Sequence, residues 1–416
     1  MNLSLPLDET GTPPALNAWA PTRAAGLARL ADYLPLAGRV YRENRNFDHG
    51  PGGHALVSTL SPWIRHRLVT EQEVAAAVLQ RHALSAAEKF IQEVCWRTYW
   101  KGWLELRPSV WRQYRQSVDR ARADLAKDGG LAGRVASAEA GATGIACFDA
   151  WADEVRATGY LHNHARMWFA SIWIFTLGLP WALGADFFLR HLLDGDAASN
   201  TLSWRWVAGL QTEGKAYVAG ADNIAKFTDG RFRPAGQLTG RVSPLAFTPH
   251  PPVGAPPAAD LVDRDKRSGL LLTDDDFGVH DMELPALDWA GALVVDAAAA
   301  RAADMSAVVT DFTAAAAADA AEQWRAIGGA PATVAAGADA DAVLAWARDL
   351  DLRQIVWLTP TTGPASDHLA GLDAKLTAGG VRLARHYRAW DRRAWPHATH
   401  GFFRFKKAIP GLVGAA

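Results

Sequence analysis

The sequence predicts an α+β protein of two units: an all-helical unit over 23–240, then a smaller α/β unit with a Rossmann-like parallel sheet over 288–416. Three observations carry this. Residues 23–240 show helical periodicity and are dense in Trp, Arg and His, with ten of the eighteen tryptophans between Trp96 and Trp206. After about 288, short apolar runs alternate with amphipathic helical stretches, the rhythm of strands joined by crossover helices. Between them, 244–257 holds six prolines and no apolar period, so 241–287 reads as a linker or a surface-hugging extended segment.

The totals narrow the class. The 416 residues are 49% hydrophobic with a formal net charge of −1, the balance of a globular chain. A nucleic-acid contact would therefore need a local basic patch. Two cysteines, Cys95 and Cys147, are too few for a four-cysteine zinc or iron–sulfur site and fit a reducing cytoplasm. Residues 1–22 read as a loose arm without the basic start and apolar core of a signal peptide. The uncharged run from Met167 to Ala185 is interrupted by Gly178 and Pro180, so a buried helix and a break are expected, not a membrane span.

In the helical unit, Ser85 and Glu88 suggest a capping-box start, and Pro108 a stop. Between them Phe90, Glu93, Trp96, Arg97 and Trp100 recur at spacings of three and four, so they share one face. An aromatic core stripe with a surface ion pair explains this about as well as a binding face. Gly159 closes the preceding helix, and Tyr160–Gly178 follows, with Asn163, Arg166, Met167 and Ala170 on one face. His162 and His164, two apart, point to different faces, and no metal site is expected. Asp194, Asp196 and Asn200 precede Trp204 and Trp206. The acids are capping residues or partners of Arg166 and Arg97. Ser58, Thr59 and Ser61 form a hydroxyl cluster before a helix, which reads as an N-cap or as a site for phosphate oxygens.

In the second unit, 292–297, 307–312, 332–337, 353–360 and 380–386 read as buried strands, with helices such as 339–349 and 366–378 between them. The alanine-rich run 297–321 reads as a helix. No glycine fingerprint or Walker motif appears.

Taken in order, Tyr41, VSTLSP (57–62), EVCWR (93–97), TGYLHNHARM (158–167), LLDGDAASNTLSWRW (192–206) and ADNIAKFTDGRF (221–232) resemble the flavin domain of the photolyase/cryptochrome family. The resemblance covers about half the chain. It implies FAD in the helical unit, with Ser58, Thr59, Leu60 and Ser61 facing the phosphates and Tyr41 nearby. Phe90, Arg97, Asn163, Arg166, Asp194, Asp196 and Asn200 would surround the rest, with Arg166 and Asp194 paired beside the ring and Asn200 near N5. On the lesion side, Glu93 matches the carboxylate that meets the dimer carbonyls, Trp96 and Trp206 the flanking aromatics, and Met167 the family's methionine, where enzymes of (6-4) lesions usually have His. Trp204 and Trp181 match the inner members of the family's tryptophan chain. The outer one has no clear counterpart, and Trp151 or Trp173 is a candidate substitute.

Phe90 stands where the family more often has Trp, and the loop from Arg45 to His54 is longer than the family's. The resemblance implies a light-dependent flavoprotein acting on UV-damaged DNA, by repair of cyclobutane dimers or, as the rival, by cryptochrome-type sensing. A monomer is expected, with Lys101, His164 and Arg231 among the DNA contacts. The family's α/β antenna domain usually comes first. Here the matching texture, ending in WPHATHGFFRFKKAIP, lies at 288–416, so this is read as a short member with that domain moved to the C-terminus, its antenna pigment unknown.

Overall fold

The computed structural model describes residues 19–240, 242, 245–282, 284, 286–327 and 329–414. The first eighteen residues of the expected arm lie outside these. Trp19 packs against Trp63 and Tyr160, with ring centroids 5.5 and 5.3 Å away, so the arm's end joins the core.

Local chemistry sets the helix ends. Thr22 caps Arg23–Tyr33 by accepting from the Ala25 amide. Thr70 and Glu73 make a reciprocal capping box on Glu71–Arg81. The expected box at Ser85 does not form. The 22-residue helix Leu84–Glu105 starts one residue earlier, after Ala83 and without a side-chain cap. Glu88 instead reaches Lys406, 2.8 Å away. Gly159, at φ 68°, ends Ala146–Thr158 in the left-handed conformation that glycine adopts without a Cβ clash. The apolar run from Met167 is broken as expected: Asn163–Ser171 passes into a π-helical turn, Ile172–Thr176, and a new helix begins at Trp181. Among the described residues no helix is long and apolar enough to cross a membrane.

The sheet has five parallel strands in the order β3-β2-β1-β4-β5. They are β1 Ser268–Thr273, β2 Trp289–Asp296, β3 Ala332–Ala336, β4 Gln354–Leu358 and β5 Arg382–His386. Leu271 of β1 stands beside Leu293 of β2 and Trp357 of β4. One face packs Leu271, Leu293, Val295 and Ile355 under the helix Ala340–Asp349. The other face, with Leu270, Leu272 and Val294, joins the core of the helical unit without a break.

Two sequence expectations need revision. The central strand β1 lies inside the stretch expected as a linker, so the α/β unit starts some twenty residues before 288. Its run of three leucines is flanked by DRDKR and DDD, which gave the region a polar average. Residues 307–312, expected as a strand, open the helix Ala307–Ala326 instead. The β-branched Val308, Val309 and Thr310 favour a strand, but the alanine-rich continuation propagates helix.

The units meet at the C-terminal end of β1. Asp274 and Asp275 engage Arg65, Asp275 also faces Lys101, and Asp276 takes two bonds from Arg388, at 2.6 and 2.7 Å. Arg67 pairs with Asp391 at 2.6 Å and with Asp276 at 3.2 Å. Beyond β5 the chain folds back on the 84–105 helix. Trp390 donates to Thr98 at 3.0 Å, and Tyr99 donates to the His400 carbonyl at 2.7 Å.

Candidate functional site

The helix Ala197–Val207 packs on both the 84–105 and the 163–171 helices, and the Leu192–Asp196 loop lies at their meeting point. Three arginines fix this loop. Arg97 pairs with Asp196, Arg166 with Asp194 at 3.0 Å, and Arg65 donates to the Gly195 carbonyl at 3.0 Å. Asp196 also caps its helix, accepting from the Ser199 amide at 2.7 Å. Burial alone would raise the Asp194 carboxyl, but Arg166 and Arg97 hold it below its ordinary value. Asp196 is thus both a cap and an ion-pair partner, whereas Asp194 is an ion-pair partner and not a cap.

Ser61, which opens the helix Ser61–Arg65, also bonds Asp194. Asn163 is exposed at the start of its helix. Asn200 is buried and donates to the Ala185 carbonyl at 2.7 Å. Tyr41 packs edge-on to Phe90 at 5.1 Å. The 57–61 loop is held by a residue that the sequence reading missed. Arg29 donates to the Ser58 carbonyl and Thr59 hydroxyl, both at 2.9 Å, and to the Val57 carbonyl at 3.2 Å. Thr59 sits at φ 53°, a conformation uncommon outside glycine, and Leu60 and Ser61 follow at a helix start. An arginine beside the buried stripe Gly26, Leu30 and Tyr33 was the available signal.

On the other side, Glu93 pairs with Arg45 at 2.5 Å. Burial raises the Glu93 carboxyl despite the opposing pull of Arg45 and Lys89. Met167 is half-buried, and Trp206 stacks on Tyr217 at 5.7 Å. Phe402, from the far end of the chain, lies flat on Trp96 with centroids 3.7 Å apart and planes 10° apart. Trp96 keeps intermediate exposure, so part of its indole stays accessible. Trp204 contacts Phe188 and Trp173, whereas Trp181 contacts Tyr114. Trp151 and Trp173 are both fully buried, so neither can be the surface end of a tryptophan chain.

The expected DNA contacts also change. Lys101 is 1% exposed and faces Asp275 across the unit interface, out of reach of a nucleic acid. Arg231 is committed to Asp48 at 2.8 Å, and His164 to the Asn46 carbonyl at 3.0 Å. Asp48, His54 and Glu154 come close enough to share an ion. Their atoms are already engaged: His54 bonds Glu154 at 2.8 Å, and Asp48 accepts from Trp151 at 3.0 Å and from Arg231. The Arg231 guanidinium opposes a second cation there. A groove lined by Arg267, Arg353 and Arg382 lies at the N-terminal edge of the sheet, apart from all these residues.

Residues 90–237 match the family described as the FAD binding domain of DNA photolyase. The chain is 35% identical over 157 residues to a deoxyribodipyrimidine photo-lyase of Streptomyces griseus, covering 38% of this chain and 33% of that one. It is 31% identical over 216 residues to that of Thermus thermophilus, covering 49% and 46%. A chloroplastic/mitochondrial cryptochrome DASH of Ostreococcus tauri is 30% identical over 247 residues, covering 58% and 43%. A solved bacterial class III photolyase from Agrobacterium tumefaciens superposes with a TM-score of 0.43 at 26% identity, covering 54% and 46%. The chain spans less than half the length of each of these relatives.

Proposed function

Because the chain belongs, through its helical unit, to the photolyase/cryptochrome family, we propose that it is a deoxyribodipyrimidine photolyase that splits cyclobutane pyrimidine dimers in UV-damaged DNA. The observation that carries the reading is the loop Asp194-Gly195-Asp196, pinned by Arg97 and Arg166 next to helices that bear Glu93, Trp96, Met167 and Trp206.

The residues fit FAD. Ser58, Ser61 and the backbone around Thr59, braced by Arg29, offer donors for phosphate oxygens. Asn163 and Arg166 keep polar atoms accessible, and the buried Trp204 indole N–H has no partner among the described residues. Arg97, Arg166, Asp194, Asp196 and Asn200 would hold the ribityl chain and ring, tuning the ring through a fixed cation beside it. When bound, reduced and light-excited FAD would supply the reversible one-electron chemistry that opens the cyclobutane ring with no net change of oxidation state.

The chain supplies position. Lesion bases must leave the stack to be reached, as photolyases in general require. The accessible part of Trp96 and the ring of Trp206 would offer flat surfaces for the two bases. Glu93, held by Arg45, would meet the dimer's polar edge. Trp204 and Trp181 would carry electrons that reduce the flavin.

The rival reading is a cryptochrome-like photoreceptor that binds FAD without efficient repair. It is favoured by the net charge of −1 and by Phe402 covering a face of Trp96. Reduced protein, blue light and a thymine-dimer oligonucleotide separate the two. Repair is expected on single- or double-stranded substrate, and no reversion on either sinks the photolyase reading. In Glu93→Gln, FAD should stay bound while repair falls at least tenfold; unchanged repair would remove Glu93 from the mechanism.

A further inference from the structure

The C-terminal segment 392–407 holds Arg392, Arg393, Arg404, Lys406 and Lys407 and no carboxylate, in a chain whose net charge is −1. It is anchored to the 84–105 helix and the turn after it: Tyr99 donates to the His400 carbonyl, Lys406 pairs with Glu88, and Arg107 donates to the Thr399 carbonyl. The short helix Phe402–Phe405 carries two adjacent phenylalanines with opposite fates. Phe402 is 5% exposed and stacks on Trp96. Phe403 is 85% exposed, the one aromatic among the strongly exposed large apolar residues described. His400, Arg404 and Lys407 beside it are exposed as well.

A single exposed apolar residue is ordinary. The surroundings of Phe403 are not, since it lies in a basic stretch with exposed Arg404 and Lys407 and one residue from the ring that braces Trp96. We propose that residues 400–407 form part of the DNA-docking surface, with Phe403 stacking on an unpaired base beside the extruded lesion and Arg404 and Lys407 meeting flanking phosphates. An aromatic face accepts any base, and guanidinium and ammonium groups follow the backbone without reading sequence. Charge complementarity selects a nucleic acid, and the local pairing defect at a dimer supplies the unpaired base. The proposal rests on the photolyase reading and adds a surface outside the residues, 90–237, that match the family.

The test uses the full chain with FAD bound. Binding of a fluorescent duplex carrying one thymine dimer is followed by anisotropy from low to high salt. Phe403→Ala should weaken binding about tenfold at unchanged salt slope, and Phe403→Trp should restore it. Arg404→Gln with Lys407→Gln should lower the slope of log affinity against log salt by about 1 to 2. Retained flavin and an unchanged melting temperature show that the variants are folded.

If the wild type binds the damaged duplex and the variants match it in affinity and slope, the surface is wrong while the photolyase reading stands. If the wild type neither binds damaged DNA nor repairs it, both fall. Loss of self-association in Phe403→Ala with unaltered DNA binding would overturn the proposal in favour of a contact between copies.

Discussion

Asp275→Asn tests whether the helical and α/β units are one cooperative structure. The Asp275 carboxylate accepts from the Thr361 amide at 2.9 Å and its hydroxyl at 2.8 Å, and from Arg65 at 3.2 Å. It lies 3.5 Å from the Lys101 ammonium. Burial alone would raise this carboxyl, yet Lys101, Arg65 and the Thr361 bonds hold it well below the carboxylate range. Arg65 has a second partner in Asp274, at 3.3 Å. Lys101 is buried and has no hydrogen bond among the described residues, so Asp275 is its counter-ion.

Removing one member of a buried ion pair costs about 3–5 kcal/mol. Thr361 can still donate to the amide oxygen of Asn, which puts the loss near 3 kcal/mol, a large part of the roughly 5–15 kcal/mol that holds a domain folded. The assay is urea unfolding followed by far-ultraviolet circular dichroism and by tryptophan fluorescence. The two probes should coincide, because the hydrophobic core is continuous between the units. Adding Lys101→Met should recover most of the loss, since the stranded charge is then gone. Because the folded carboxyl is depressed, its stabilisation is present above the unfolded value of about 3.9 and fades as pH falls through the lower folded value. The gap between wild type and variant should therefore close in acid. A loss below about 1 kcal/mol, or no recovery in the double variant, would refute the reasoning.

Asp194→Asn leaves Arg166 without its charge partner beside the expected flavin ring, so the variant should release FAD about tenfold more readily, measured as flavin fluorescence on dilution. Burial pushes the Glu105 carboxyl up to about 7, so its contribution is intact below its unfolded pKa and is lost as pH rises through 7. Glu105→Gln should then gain on the order of 1 kcal/mol at pH 8 and little at pH 5, read from thermal melts. The action spectrum of repair should follow reduced FAD alone, without a second band, because the sheet edge that would hold an antenna pigment is filled by Arg65, Arg67 and Lys101.

What was legible in the sequence was what lies close along it. The Asp196 cap, the Gly159 stop and the break after Met167 depend on a few neighbouring residues, and each is present. The pairings of Arg97 and Arg166 were open as alternatives, because which acid meets which arginine depends on how three helices cross. Phe402 on Trp96 joins positions 306 residues apart, and no periodicity or spacing announces such a contact. Arg29 escaped for the same reason: two of its three partners are backbone carbonyls of a loop some thirty residues on, and any residue type could supply those. The misread elements have local causes. Residues 307–312 carry a strand's β-branched side chains, but alanines further along decide for helix. Strand β1 is short and charge-flanked, and only as the sheet's centre does its burial on both faces make sense.

That central strand also explains how the α/β unit sits. The relocation expected from the sequence requires a parallel sheet in this half, and one is present with β2 on one side of β1 and β4 on the other. In such a sheet the chain leaves β1 for one neighbour and reaches the other by a different route, which opens a crevice at the C-terminal ends where ligands usually bind. Here Asp274, Asp275 and Asp276 emerge at that point and are met by Arg65, Arg67 and Lys101 of the helical unit. The edge that could take a ligand is used for docking. Docking there brings the chain beyond β5 across the 84–105 helix, where Trp390 bonds Thr98 and Phe402 lands on Trp96. The α/β unit is thereby coupled to the candidate lesion site through packing and charge. In Asp275→Asn the loss of the Asp275–Lys101 pair should therefore reach Trp96 and shift the fluorescence of the folded protein, while fluorescence and circular dichroism still report one unfolding transition.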